Sequence, residues 1–150
     1  MKVFPYLATP NSELQTVAKS VALDADPDEV WSAIGSFDLS WHPRVARVRL
    51  TGTGIGQLRT MQTLDGKEIV ERLEAIYHAK RSMRYSSIAG IAASHYTGTL
   101  EVTPNGRGSV AEWRVRYLAN GQPDIVVKTI VSALQKTGLE SLTTRFGVPA

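Results

Sequence analysis

From residue 45 to residue 118 the sequence alternates apolar and polar side chains in about six successive stretches, each closed by a short turn, and one long amphipathic stretch follows. This order restricts the fold more than any other feature. Alternation at period two marks strands with one buried face. Short turns impose antiparallel pairing, because parallel neighbours need a crossover of a dozen or more residues. The stretches are residues 45–50, 57–63, 67–77, 82–88, 95–103 and 109–118. Leu64-Asp65-Gly66 and Asn105-Gly106-Arg107-Gly108 are turn sequences between them. An earlier strand runs from Gln15 to Leu23. Before it, residues 1–14 read as irregular, broken by Pro5, Pro10 and Asn11.

Asp26-Pro27-Asp28-Glu29 opens a helix: Asp26 accepts from an orphan N–H, Pro27 suits the first helical position, and Glu29 reaches back as a capping-box acid. The helix is expected to run to about Phe37, with Val30, Ile34 and Phe37 on one face and Trp31 beside it. Residues 38–43 read as a second short helix or a turn, with Pro43 biasing His42 away from helix. Residues 123–146 read as one long helix. Its apolar stripe holds Val127, Val131, Leu134 and Leu142, with Gly138 in the middle, against Lys128, Lys136 and Glu140. A twisted sheet of this size curls, and the long helix must bury its stripe on the concave side. The expectation is a single α+β domain over 1–150: a curved antiparallel sheet of about seven strands around the C-terminal helix, two short helices, and an internal cavity.

Composition removes several functions. The 150 residues contain no Cys, hence no thiolate nucleophile and no zinc–cysteine site. The three His (His42, His78 and His95) have no metal-ligand spacing, so no metal and no cofactor is expected. Lys and Arg number 17 against 14 Asp and Glu, a net charge of +3, too mild for a nucleic-acid partner. The clusters Arg44/Arg47/Arg49 and Lys80/Arg81/Arg84 read as solvated edges and turns. No apolar run approaches the roughly 20 residues of a membrane span. The N-terminus lacks the apolar stretch of a signal peptide, which points to the cytoplasm. Gly52, Gly54 and Gly56 precede strand-like residues, whereas a dinucleotide fingerprint precedes a helix; they read as a tight strand connection.

The run DADPDEVWSAIGSFDLSWHP resembles the first helix region of the START-like or Bet v 1-like (SRPBCC, helix-grip) superfamily. The run GIGQLRTMQTLDGKEIVERLEAIYHAKRSMRYSSIAG resembles its bacterial polyketide cyclase/dehydrase, MxaD-like branch. The pieces that carry it are Gly54-x-Gly56, Arg59, Glu71-Arg72-Leu73-Glu74, Arg84-Tyr85 and His95-Tyr96, in order, within a resemblance over about residues 15–146. It implies a seven-stranded sheet gripping the C-terminal helix, with a deep cavity between. It leaves the activity open, because relatives include hormone receptors, lipid carriers and aromatase/cyclases.

Alternation aims the side chains. Ile69, Glu71, Leu73, Ala75 and Tyr77 share the more apolar, inward face of their strand. Glu71 is then either ligand-facing or paired with Arg59 at the rim. In plant hormone receptors the Glu of the matching ERL motif faces the pocket, so the resemblance implies the same for Glu71. Ala111, Trp113, Val115 and Tyr117 face inward, with Trp113 and Tyr117 as core or as ligand platform. Tyr96, Gly98, Leu100 and Val102 share a face, with Gly98 opening room beside Tyr96, which the resemblance aligns with a pocket tyrosine. Trp41 and His42 sit where the family builds the pocket mouth, at about the place of a receptor lysine. His42 is a hydrogen-bond donor or general acid/base there, or an exposed loop histidine. His95 faces out and His78 lies in a turn. The loops at residues 64–67 and 89–94 flank the mouth without the receptors' proline gate or His-Arg-Leu latch, and the second offers an apolar dimer contact.

The expected ligand-binding residues are Trp41, His42, Arg59, Glu71, Tyr85, Tyr96, Trp113, Tyr117, Leu134 and Gly138. The leading expectation is a monomer or homodimer that binds a small hydrophobic molecule (lipid-like, aromatic or polyketide-like). The alternatives are a metal-independent cyclase, aromatase or dehydratase with His42 and Glu71 as catalytic groups, and a protein-interaction module.

Overall fold

The computed structural model describes residues 13–119 and 123–150, so the irregular segment expected at the N-terminus falls almost wholly outside the described residues. Among the described residues the chain forms β1 (Gln15–Leu23), α1 (Pro27–Ile34), β2 (Val45–Thr51), β3 (Leu58–Thr63), β4 (Glu68–Tyr77), β5 (Ser82–Ala89), β6 (Ala93–Asn105), β7 (Gly108–Ala119) and α2 (Asp124–Phe146), with a 3-10 turn at His78–Lys80. The strands form one antiparallel sheet in the order β1-β7-β6-β5-β4-β3-β2. Each connection from β2 to β7 is a turn to the adjacent strand. The first strand pairs with the last, so the sheet's edges are its first two strands, bridged by α1. Register shifts in β2, β4 and β6 add local twist and bend the sheet around α2.

The concave face is the apolar one that alternation selects. Ile69, Glu71, Leu73 and Ala75 of β4, Tyr96, Leu100 and Val102 of β6, and Ala111, Trp113, Val115 and Tyr117 of β7 are all buried. Tyr77 departs from this pattern and is exposed, because β4 ends there at the rim and turns out into His78–Lys80. The arginines of the clusters at residues 44–49, and Arg84, are exposed. Helix α2 packs on β1 and β7 with Val127, Val131, Leu139 and Leu142 buried. Each such side chain contributes about 1.5–3 kcal/mol by leaving water. The stripe therefore includes Leu139, while Leu134 is only half-buried.

Helix α1 starts as its sequence dictates, with the Asp26 carboxylate accepting the Asp28 N–H at 2.9 Å and Pro27 at the first position. The expected capping-box bond from Glu29 does not accompany it among the described residues. The helix stops at Ile34, short of the expected Phe37, and the second short helix is a turn. The Asp38 carboxylate accepts the Ser40 N–H at 3.0 Å, and Leu39 adopts a left-handed φ of 52°. Both features stop helix propagation. Phe37 and Leu39 are nonetheless buried. Trp31 anchors α1 by donating its indole N–H to His78 Nδ1 at 3.0 Å. The Gly52–Gly56 segment is an exposed connection whose three glycines have positive φ, followed by β3 and no helix.

Candidate functional site

The concave face and α2 enclose an inner cavity lined by Leu39, His42, Val45, Met61, Thr63, Glu71, Tyr85, Tyr96, Trp113, Val115, Val131, Leu134 and Gln135. Only about 20 Å³ of it is open to the centre of a water molecule, room for roughly one water. Side chains therefore fill most of the space that the sequence left to a deep cavity. Trp113 is one of these filling side chains. Gly138 lets it in: a Cβ there would lie 3.0 Å from Trp113 Cζ3 and 2.8 Å from His42 Cδ2. Gly138 thus seats these two rings instead of lining the cavity. Trp41 packs at a tilt against both, with ring centroids 5.6 Å from His42 and 5.7 Å from Trp113, and it too lies outside the lining. Gly98 acts similarly. A Cβ there would run into the Tyr85 ring, so the room expected beside Tyr96 belongs to Tyr85.

Arg59 and Glu71 face each other across β3 and β4. Both are 2% exposed, so the pair is buried and not at the rim. Arg59 Nε and Nη2 lie 2.8 and 2.7 Å from Glu71 Oε1, and Nη1 donates to the Phe37 carbonyl at 3.1 Å. The guanidinium also lies over the rings of Phe37 (4.2 Å) and Tyr85 (4.7 Å). Burial pushes the Glu71 carboxyl above its usual range, and the Arg59 charge opposes the shift. Arg59 is fully engaged behind this carboxylate and does not itself line the cavity.

His42 is buried, not exposed. Its Nδ1 accepts the Arg44 N–H at 3.1 Å, so Nε2 carries the proton and donates to the Leu134 carbonyl at 2.8 Å. Burial holds its pKa below the usual 6.5, with Arg44 and Arg59 acting in the same direction and the Leu134 carbonyl against it. With both ring nitrogens committed, the imidazole is a neutral cross-brace between the 38–43 turn and α2, not a free acid or base.

The Trp113 indole N–H donates to the Tyr85 hydroxyl at 2.8 Å, deep in the core. The Tyr85 proton has no acceptor among the described residues. Burial, then the Glu71 charge, raises the pKa of this phenol, which keeps it a donor. Tyr96 lines the cavity, and burial raises its pKa well above the usual value. Tyr117 lies apart: its hydroxyl donates to Asp124 at 3.0 Å, and burial with that bond pushes it up to about 12.

Gln135 is, with Thr63, a polar lining residue absent from the expected ligand-binding set. It is 1% exposed, and its Nε2 donates to the Val17 carbonyl (3.0 Å) and the Trp113 carbonyl (3.1 Å). Its Oε1 is buried without a partner, a condition that costs about 1–3 kcal/mol. Trp41 Nε1 and Ser109 Oγ also lack partners, but neither residue lines the cavity. The signal for Gln135 was present: residues 127, 131, 135, 138 and 142 form one helical stripe, and Gln135 is its polar member.

Outside the cavity lies a groove of about 230 Å³ between the 64–67 turn and the Thr129–Leu134 face of α2, with Arg44, Asp65 and Lys67 on its rim. Thr63 and Leu134 line both spaces, so these two side chains separate them. The sequence expectation of a mouth beside the 64–67 loop corresponds to this groove. The 89–94 loop lines neither space. Among the described residues no three His, Asp or Glu groups converge to hold a metal ion, and no helix is long and apolar enough to cross a membrane.

Comparison with known proteins agrees with this architecture. A family model described as "Polyketide cyclase / dehydrase and lipid transport" matches residues 15–147. The protein XoxI from Bacillus cereus superposes with a TM-score of 0.81 at 25% identity, covering 87% of this chain and 94% of that one. A Thermobifida fusca protein gives 0.78 at 25% identity, over 88% and 93% of the two chains. Norcoclaurine synthase from Thalictrum flavum, in complex with dopamine and hydroxybenzaldehyde, gives 0.69 at 17% identity over 89% and 88%, a likeness of fold alone. No curated protein matches. The chain belongs to the polyketide cyclase / dehydrase and lipid transport family, within the START-like, Bet v 1-like superfamily that its helix-grip fold defines.

Proposed function

We propose that this protein binds a small hydrophobic molecule that enters from the outer groove past Leu134 and widens the inner cavity, which at rest has room for about one water. One observation carries the reading. The space behind Leu134 is apolar and aromatic, and it ends on a few converging polar groups: Glu71, the Tyr85 hydroxyl and Gln135. That is the composition of ligand pockets, in which apolar walls supply affinity and few polar groups fix orientation. Rotation of Leu134 joins the inner space to the groove. The solved complex of norcoclaurine synthase, a protein of the same fold, with dopamine and hydroxybenzaldehyde is in keeping with this reading.

The reading is tested by titrating methyl-labelled protein with naphthalene. The methyl signals of Met61, Val131 and Leu134 shift on binding, and Leu134→Trp, which plugs the passage, abolishes the shifts. Shifts confined to other surfaces, or unaffected by Leu134→Trp, overturn it.

A second reading, a cyclase- or dehydratase-type enzyme in the same cavity, draws on the raised proton affinity of Glu71 beside the protonated Tyr85. In it Glu71 takes the proton from an activated carbon and Tyr85 polarises a carbonyl, while His42 braces α2. Turnover of a poly-β-ketone that falls sharply in Tyr85→Phe and in a folded Glu71→Gln supports it; unchanged turnover in both removes it.

A further inference from the structure

We propose that Gln135 is the specificity-determining residue of the cavity, and that its side-chain carbonyl selects apolar ligands that carry an O–H or N–H donor. The inference rests on the proposed binding function and adds the chemistry of the ligand's polar end.

The orientation of the Gln135 amide is fixed by its partners. Its Nε2 meets two backbone carbonyls, those of Val17 in β1 and Trp113 in β7, at 3.0 and 3.1 Å. Carbonyls only accept, so the nitrogen must face them; a flipped amide would set three acceptor oxygens against one another. The nitrogen edge is thus turned to the sheet, which leaves Oε1 on the other edge of the amide, on a residue that lines the cavity. This oxygen is buried and has no donor. Among the described lining residues the Trp113 indole bonds Tyr85 and His42 bonds the Leu134 carbonyl, and the Tyr85 and Tyr96 hydroxyls, which also line the cavity, make no hydrogen bond to Oε1. A guest that carries a donor and displaces the single water the cavity has room for completes Oε1.

The amide is also held in place. It bridges two neighbouring strands from α2, so it does not swing away to find a partner of its own. A preoriented acceptor in an apolar wall discriminates by what it leaves unpaired: a guest without a donor buries Oε1 unmet, whereas a guest with one completes it.

The test compares three probes of similar shape by isothermal titration: 2-naphthol, 2-methoxynaphthalene and naphthalene. The expected result is that 2-naphthol binds about tenfold tighter than either donor-free probe. In Gln135→Met that preference falls to near unity, a change of selectivity that a purely structural role would not produce. If Gln135→Met does not fold, wild-type NMR gives the same decision: the Gln135 side-chain amide signals move with 2-naphthol well beyond their movement with the ether. Equal binding of the three probes, or a preference that survives Gln135→Met, overturns the assignment and leaves the binding function standing. If none of the three binds, the binding function fails and this inference falls with it.

Discussion

Glu71→Gln tests whether the ion pair at the back of the cavity is as buried as its geometry says. In the native protein the Arg59 guanidinium is 2% exposed and faces Oε1 at 2.7 and 2.8 Å. The substitution removes the balancing charge but leaves Arg59 beneath Phe37 and Tyr85, with only the Phe37 carbonyl and two ring faces as fixed partners. Removing one member of a buried pair costs about 3–5 kcal/mol, because the remaining charge has lost water and gained nothing. At this chain length that is a fall of about 6–20 °C in Tm. In urea, with a slope near 2 kcal/mol per molar, it is a midpoint shift of roughly 1.5–2.5 M. The double variant Arg59→Met/Glu71→Met removes both charges and keeps the volume, so it is expected within about 1 kcal/mol of the native protein. A loss below about 1 kcal/mol in Glu71→Gln, or a double variant no better than the single one, refutes the burial argument.

Other expectations follow from the same contacts. Gly98→Ala places a methyl in the Tyr85 ring and is expected to cost about 1–3 kcal/mol in urea unfolding, with a changed near-ultraviolet signal from Trp113. His42 has a lowered pKa in the folded state, so its stabilising contribution is fully present above 6.5. It declines as pH falls from there through the folded value, since only the unfolded chain takes the proton readily. Urea midpoints between pH 8 and 5.5 should show this loss in the native protein and lack it in His42→Gln; identical profiles contradict the brace. Leu134→Ala, at a half-buried position, should cost no more than about 2 kcal/mol and speed naphthalene uptake in stopped-flow mixing. An unchanged rate removes Leu134 as the barrier.

Much of the fold is legible in the sequence because one face of the strands other than the edge strand β2 is buried, which ties burial to the period-two pattern. Ile69, Leu73, Trp113 and Val115 are in the core for this reason. The start of α1 is legible because its cap is local. Its end is not: the left-handed Leu39 and the turn at Asp38 compete with a helix pattern that composition favours. The site is less legible because its chemistry depends on contacts distant in sequence. His42 is an acid or base candidate until the Leu134 carbonyl, on α2, is seen to hold its proton. Glu71 carries either of two roles until the register sets Arg59 opposite it. The size of the cavity depends on how Trp113, His42 and Gly138 interlock, which no periodicity encodes. Gln135 is hard to read from sequence because a lone polar residue in an apolar stripe breaks the pattern that marks a buried face.

The central claim is that the space behind Leu134 receives a small hydrophobic guest. Native mass spectrometry of the protein, gently purified and then exposed to 2-naphthol and naphthalene, tests it most directly. The expected result is a one-to-one adduct, either retained from the source or formed with a probe, that is lost on denaturation and absent in Leu134→Trp. A protein that carries no adduct and takes up neither probe, or one whose adduct persists unchanged in Leu134→Trp, contradicts it.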